Sequence, residues 1–136
     1  KQKKVVLQNI FSAESGALAS YDPNNTLTLD TVTNIIVKDD PQGKYLLALL
    51  SSKLINFYIM YALFNRSRLT MHLDKSYLGS IPVIPNPDKE NEDTDVRKSK
   101  NREIDEIVYS IYSLTKKEIT LVEEATSKIL SKKSIW

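Results

Sequence analysis

The sequence predicts an α+β fold: a small antiparallel β-sheet in the N-terminal third, a central core helix and a C-terminal helical pair. Three observations predict it. Short β-branched runs broken by turn residues fill the chain up to Lys38, apolar residues recur at spacings of three and four from Leu46 to Phe64, and two amphipathic segments follow Glu103. At 136 residues, 41% hydrophobic and 26% charged, the chain has the size and composition of one globular domain that buries a core without disulfides or metal.

Strands come first. Val5-Val6-Leu7 leads to Ile10-Phe11, and Ala17-Leu18-Ala19 precedes the turn-forming Asp22-Pro23-Asn24-Asn25. Thr26 to Asp30 then alternates polar and apolar residues, which predicts a half-buried antiparallel hairpin. Val32 to Lys38, with Ile35-Ile36-Val37 at its centre, is expected to join the same sheet.

Asp39-Asp40-Pro41 supplies a helix start: a carboxylate accepts from free N–H groups, and proline at the first helical position lacks only a donor that would be orphaned anyway. One helix from about residue 41 to 64 follows, with Leu46, Leu50, Leu54, Phe57, Tyr61 and Phe64 on one face and Leu47, Leu49 and Tyr58 widening it. The run from Tyr45 to Phe64 is about as long as a membrane span, but Ser51, Ser52, Lys53 and Asn56 interrupt it, and a buried core helix with no membrane partner is the reading.

Residues 65–75 read as a polar and basic loop, Ser76-Tyr77-Leu78 as a short turn, and Ile81 to Pro87 as an extended stretch held by Pro82, Pro85 and Pro87. From Asp88 to Arg102 acids precede bases and Val96 is the only large apolar residue, so 88–102 reads as a flexible loop. The helical pair occupies 103–134. Ile104, Ile107, Val108, Ile111 and Tyr112 mark one face, and Thr115-Lys116-Lys117-Glu118 has capping-box spacing with Leu114 and Ile119 at the staple positions. Ile119, Val122, Ala125 and Ile129 share a side of the second helix. The expected organisation is a single domain over 1–136, comprising a β-rich part (1–38), the helix, basic loop and proline closure (41–87), the loop 88–102 and the helical pair.

Composition removes several function classes. The chain has no cysteine and a single histidine, which excludes a disulfide framework and opposes a structural zinc site. The lack of cysteine is compatible with a cytoplasmic location. Net charge is only +2, so a nucleic-acid surface would need local clustering of Lys and Arg. His72 has no Ser or Cys nucleophile motif around it, and Asp74 is only a neighbour in sequence, so no catalytic site is expected. There is no glycine-rich cofactor loop and no Asn-Pro-Pro-Tyr or Asn-Pro-Pro-Phe motif, since Asn86-Pro87 is followed by Asp88. Lys1 in place of an initiating Met points to a segment of a longer protein.

The succession of Leu50-Ser51-Ser52-Lys53 on an apolar helix, a basic loop, and Ile81-Pro82-Val83-Ile84-Pro85 resembles the TaqI-like C-terminal specificity domain. That family shows a Leu-Asn-Ser-Lys helix and a Leu-Pro-Ile-Pro closure; here Ser51 replaces the usual Asn. Tyr112, Leu114, Thr115 and Glu118 are similar to the family's Tyr-Gly-Leu-Thr-x-x-Glu turn, with Ser113 where Gly is common. The resemblance implies a non-catalytic domain that recognises double-stranded DNA for an adenine methyltransferase within a restriction-modification enzyme. A separate N-terminal methyltransferase domain would flip the target base and use S-adenosylmethionine, with no cofactor held by this segment.

It further implies that the loop between helix and closure faces DNA, which selects Asn65, Arg66, Arg68, Thr70, His72 and Lys75 as candidate contacts. Arg offers two parallel donors to guanine, Asn pairs with adenine as donor and acceptor, and Lys neutralises phosphate. Tyr21, Asn24 and Asn25 could stack on or hydrogen-bond to nucleic acid, although Asp22-Pro23-Asn24-Asn25 reads first as turn chemistry. Lys1, Lys3 and Lys4, and the cluster Arg97, Lys98, Lys100 and Arg102, are secondary candidates for phosphate. Two alternatives stay open: a helical protein-interaction module that docks a partner through the C-terminal helices without DNA, and the specificity subunit of a multi-subunit restriction system, for which this chain has room for only one recognition domain.

Overall fold

The computed structural model describes residues 2–12, 15–67, 69–85 and 101–130, excluding the side chains of residues 101 and 128–130. Strand β1 (Lys3–Gln8) lies between β3 (Ala19–Asp22) and β4 (Val32–Val37), antiparallel to both. Val5 faces Tyr21 on one side and Ile35 on the other, and Leu7 faces Ala19 and Thr33. Val5 and Leu7 are fully buried, because the strand's period of two sends both to the face that carries the core.

The expected strand at Thr26–Asp30 does not form. β3 and β4 flank β1 and run parallel to each other, so residues 23–31 must travel back along the sheet as a crossover, and no hairpin can close there. The Asp22 carboxylate starts this crossover by accepting from the N–H groups of Asn24 at 2.8 Å and Thr26 at 2.6 Å, with Asn25 in the left-handed region at φ 58°. Leu27 and Leu29 consequently point to solvent, 97% and 78% exposed. Lys4 is buried beneath the turn, donating to the Thr26 carbonyl with Asp22 at 3.8 Å, which removes it as a phosphate contact. Lys3 is paired with Asp40 at 2.8 Å.

Helix α1 (Asp40–Ser51) begins as its sequence predicts: the Asp39 side chain accepts from the Gln42 N–H at 2.8 Å, and Pro41 sits in the first turn. It does not run on to residue 64. The Ser52 backbone is extended (ψ 151°), and the buried Ser52 hydroxyl donates to the Leu49 carbonyl at 2.7 Å and accepts from the Ile55 N–H at 3.3 Å. A short hydroxyl side chain thus ends one helix and caps the next, α2 (Lys53–Tyr58), and the axis bends by 54°. Asn56 repairs the break: its amide donates to the carbonyls of Leu50 (3.1 Å) and Ser52 (2.9 Å), and its oxygen accepts from the Ala17 N–H at 2.7 Å. Gly16, at φ 64°, lets this approach happen, since a Cβ there would lie 2.7 Å from the Asn56 oxygen.

A π-helical turn (Ile59–Leu63) extends α2, closed by the Phe64 N–H on the Ile59 carbonyl at 3.1 Å. Leu49, Leu50, Ile55, Ile59 and Met60 carry the helical share of the core against Val5, Leu7 and Phe11. Among the described residues no single helix is long and apolar enough to cross a membrane, although the bent pair Asp40–Ser51 and Lys53–Leu63 reaches that length and composition together.

After α3 (Lys75–Gly79), the proline closure is held by tyrosines. Tyr58 donates to the Ser80 carbonyl at 3.1 Å, Tyr112 to that of Pro82 at 2.6 Å and Tyr45 to that of Ile84 at 2.8 Å. Prolines cannot build a backbone ladder, so side-chain donors from three helical segments satisfy the carbonyls of this stretch. Helix α4 (Asn101–Ile111) starts two positions earlier than expected, while 86–100, most of the expected loop, and 131–134 of the expected helical pair lie outside the described residues. Helix α5 (Lys116–Leu130) opens on the expected capping box: the Glu118 carboxylate accepts from the Thr115 N–H at 2.7 Å, and the Glu118 N–H reaches the Thr115 hydroxyl at 3.4 Å. Val108, Tyr109, Val122 and Ala125 are buried, but Ile107, placed with the core by spacing, is 45% exposed.

Candidate nucleic-acid interface

The segment from Asn65 to Lys75 is an anchored excursion with its own strand. β5 (Met71–His72) pairs antiparallel with β2 (Ile10–Phe11), His72 opposite Ile10 and Met71 opposite Phe11. The Leu73 N–H donates to the Asn9 carbonyl at 2.8 Å. Met71 and Leu73 are 3% and 0% exposed, so strand alternation turns Thr70, His72 and Asp74 outward.

Aromatic rings close the base of the excursion. Phe64, at its start, packs edge-on against Phe11 at 5.7 Å and against Tyr77 of α3, beyond its end, at 4.7 Å between ring centres. Asp74 caps α3 by accepting from Ser76 N–H at 2.9 Å and Tyr77 N–H at 3.2 Å, leaving Lys75 exposed on the first helical turn. At the other end Asn65 and Arg66 adopt left-handed backbone, φ 46° and 59°, and the Arg66 N–H donates to the Met60 carbonyl at 2.7 Å. That bond spans one residue more than the 6→1 bond of a Schellman helix end, following the wider π-turn before it, and the left-handed turn is built here without glycine.

Asn65, Arg66, Thr70, His72 and Lys75 are therefore gathered on one pinned segment with exposed side chains; Arg68 lies outside the described residues. Asn24 and Asn25 are also exposed but stand elsewhere. Their turn follows Asp22, which pairs with Lys4, whereas β2 and β5 follow the Gln8 end of β1. Tyr21 is committed to the scaffold: its hydroxyl donates to Asp40, and its ring covers Gly43, where a Cβ would meet a ring carbon at 2.3 Å. Of the secondary cluster, Arg97, Lys98 and Lys100 lie outside the described residues, and Arg102 sits 3.7 Å from Glu106 on α4.

Leu50-Ser51-Ser52-Lys53 is architecture. Leu50 is in the core, Ser51 is exposed and Ser52 makes the helix break. Lys53 ties in the C-terminal helices: its N–H donates to Asp105 at 2.7 Å, and its ammonium lies 3.4 Å from Asp105 and 2.7 Å from Glu123. Tyr109 donates to the other Glu123 oxygen at 2.8 Å. The hydrogen bond to Glu123 raises the Lys53 pKa, and burial raises that of Asp105 against the pull of Lys53. A cleft of about 1020 Å³ opens beside this cluster, but the charged groups Lys53, Asp105 and Glu123 that line it are already paired with one another. Among the described residues no group of His, Asp or Glu side chains could hold a metal ion.

Reading by residue type missed the support under Arg66. Its guanidinium lies 5.9 Å from the centre of the Tyr61 ring, which stacks on Phe57 at 4.6 Å with 23° between planes. Helical spacing alone places both rings on the core face. The available signal was the i, i+4 spacing of Phe57 and Tyr61, which brings two rings together on a helix surface.

The family model for the TaqI-like C-terminal specificity domain matches residues 1–83, from the first strand to the start of the proline closure. Helices α4 and α5, with the Tyr112 to Glu118 turn, lie beyond the match. No curated protein and no solved structure matches the chain. With 83 of its 136 residues matched, the chain belongs to the TaqI-like C-terminal specificity domain family, the target-recognising part of restriction-modification systems.

Proposed function

We propose that the pinned segment from Asn65 to Lys75 reads double-stranded DNA and thereby positions a target adenine for a separate methyltransferase domain of the parent protein. The observation that carries this reading is the alternation at β5: Met71 and Leu73 lock the backbone into the core while Thr70 and His72 are turned out, on the same segment as the exposed Asn65, Arg66 and Lys75. Base recognition needs donors and acceptors held in register, and a strand-anchored segment holds them at lower entropic cost than a free loop. Arg66 suits the two acceptors of guanine, Asn65 the donor and acceptor edge of adenine, Thr70 and His72 single hydrogen bonds, and Lys75 a phosphate; Arg68 suits a guanine or a phosphate. Asn24 and Asn25, at the other end of β1, are assigned to flanking backbone contacts.

In this reading the chain contributes no catalytic residue. S-adenosylmethionine and the base-flipping chemistry belong to the catalytic domain, in the cytoplasm. The test is duplex binding by the protein as a function of salt. Lys75→Ala should lower affinity evenly across sequences and flatten the salt slope by about one phosphate contact, while Arg66→Ala should relax sequence preference. No duplex affinity at low salt, or a sequence preference that is unchanged after Arg66→Ala and Arg68→Ala, would overturn the reading.

A second reading is favoured by Ile107 and Leu121, which are 45% and 58% exposed on α4 and α5. It makes the helical pair a protein-docking face without DNA binding. It differs in its outcome: changes at Ile107 and Leu121 would remove an association, and changes at Arg66 would do nothing.

A further inference from the structure

Arg66 combines features that do not belong to an ordinary surface arginine. Its backbone lies in the left-handed region at φ 59°, directly after Asn65 at φ 46°. Asparagine tolerates that conformation, but a long β-methylene side chain is disfavoured in it, and glycine would serve the turn better. The turn is nonetheless fixed from both sides, by the Arg66 N–H on the Met60 carbonyl at 2.7 Å and the Ser67 N–H on the Phe64 carbonyl at 2.9 Å.

The side chain is supported too. Below the guanidinium stands a two-ring stack, Tyr61 at 5.9 Å and Phe57 at 4.6 Å beneath it. The π-helical turn Ile59–Leu63 holds Tyr61, and the buried Ile59 and Met60 immediately before it anchor the turn. No described carboxylate lies within ion-pair distance of Arg66. A guanidinium carbon 5.9 Å above the Tyr61 ring centre is within cation–π range, a contact that uses none of the guanidinium N–H groups, and those N–H groups make the paired donation to a guanine. Strain in a left-handed backbone of this kind gathers where geometry serves a function.

We propose that Tyr61, backed by Phe57, is a positioning residue for sequence specificity: it supports the Arg66 guanidinium on its ring so that the free edge is presented to a guanine of the recognised site. This rests on the assignment of the Asn65–Lys75 segment to DNA reading. Tyr61 itself touches no base; its contribution is to reduce the freedom Arg66 must lose on binding.

The experiment selects bound duplexes from a random library with the protein, then measures discrimination for the guanine that Arg66→Ala ceases to select. Arg66→Ala should lower that discrimination by about five- to 150-fold, the range for one bidentate contact. Tyr61→Leu, which keeps an apolar side chain but removes the ring, should lower it by about two- to fivefold with the salt slope of binding unchanged. Tyr61→Phe should restore it. Because Tyr61 packs against the core, Arg66→Lys provides a second probe that leaves every ring in place: it keeps the charge, loses the planar fork, and should lose discrimination at the same position. Full discrimination in Tyr61→Leu or Arg66→Lys, with Arg66→Ala defective, overturns the positioning role and leaves DNA reading intact. Full discrimination in Arg66→Ala overturns both.

Discussion

Replacing Lys53 with methionine removes one ammonium from a four-residue cluster and keeps the aliphatic stem, so the loss isolates the charge. Glu123 loses a partner at 2.7 Å, but the two side chains are 37% and 41% exposed, which limits that pair to about 0.5 kcal/mol. Asp105 is different: its side chain is only 6% exposed, and without the ammonium at 3.4 Å its carboxylate keeps, among the described residues, the Lys53 backbone N–H at 2.7 Å. Leaving a carboxylate half-compensated in that position costs about 1–2 kcal/mol, so Lys53→Met should destabilise by about 2 kcal/mol in all. For a domain of this size that is a fall of roughly 8 °C in Tm. Asp105→Asn retains an oxygen for the Lys53 N–H and relieves a buried charge, so alone it should stay within about 0.5 kcal/mol of the parent. The double variant should recover about 1 kcal/mol relative to the sum. Urea melts followed by circular dichroism at pH 7 measure all three. An additive cycle, or a Lys53→Met variant as stable as the parent, would refute the assignment of this lysine to the scaffold.

Other consequences follow from backbone and charge. Ser113 ends α4 with φ 53°, so Ser113→Gly should raise stability by about 1 kcal/mol, read as a higher Tm; an unchanged or lower Tm would contradict the left-handed assignment. Arg66→Gly should likewise stabilise by up to about 1 kcal/mol while weakening DNA discrimination, two effects of opposite sign that a thermal melt and a binding assay separate. The Lys3 and Tyr21 hydrogen bonds hold the Asp40 pKa below its usual 3.8, and the Thr115 hydrogen bonds hold Glu118 below 4.5. Burial works against the Glu123 carboxylate, yet Lys53 and Tyr109 bring its pKa below 4.5 as well. A depressed folded pKa gives stability that is present above the unfolded value and lost as pH falls through the folded one, so Tm should be level near neutrality and fall below about pH 4. Asp105, raised by burial, opposes this loss, and Asp105→Asn should make the acid decline steeper.

Much of the architecture was legible because it follows from local chemistry. The Asp39–Pro41 start, the Thr115–Glu118 box and the β-branched strands are set by a few adjacent residues. The proline closure was also readable as an extended stretch, although the tyrosines that satisfy its carbonyls come from positions far away in sequence. What misled was long-range. Thr26–Asp30 alternates like a strand, but β1 occupies the place between β3 and β4, and the segment becomes a crossover with Leu27 and Leu29 in solvent. The apolar period from Leu46 to Phe64 is continuous, yet one buried hydroxyl at Ser52 turns the axis. The same bend explains why the candidate site was only half visible: charge and loop position picked out Arg66, His72 and Lys75, whereas the ring beneath Arg66 was hidden in a core-like pattern. Lys4 and Tyr21, polar residues of the sheet, make hydrogen bonds within the fold that their local sequence does not announce.

The claim that residues 65–75 read DNA is tested most directly by selection from a random duplex library with the protein and with an Arg66→Ala/His72→Ala/Lys75→Ala variant of equal Tm. These side chains are exposed and lie outside the core, so the variant should fold. The parent should enrich a defined site, and the variant should enrich none or one degenerate at the positions those residues read. Enrichment of the same site to the same degree by both proteins would contradict it.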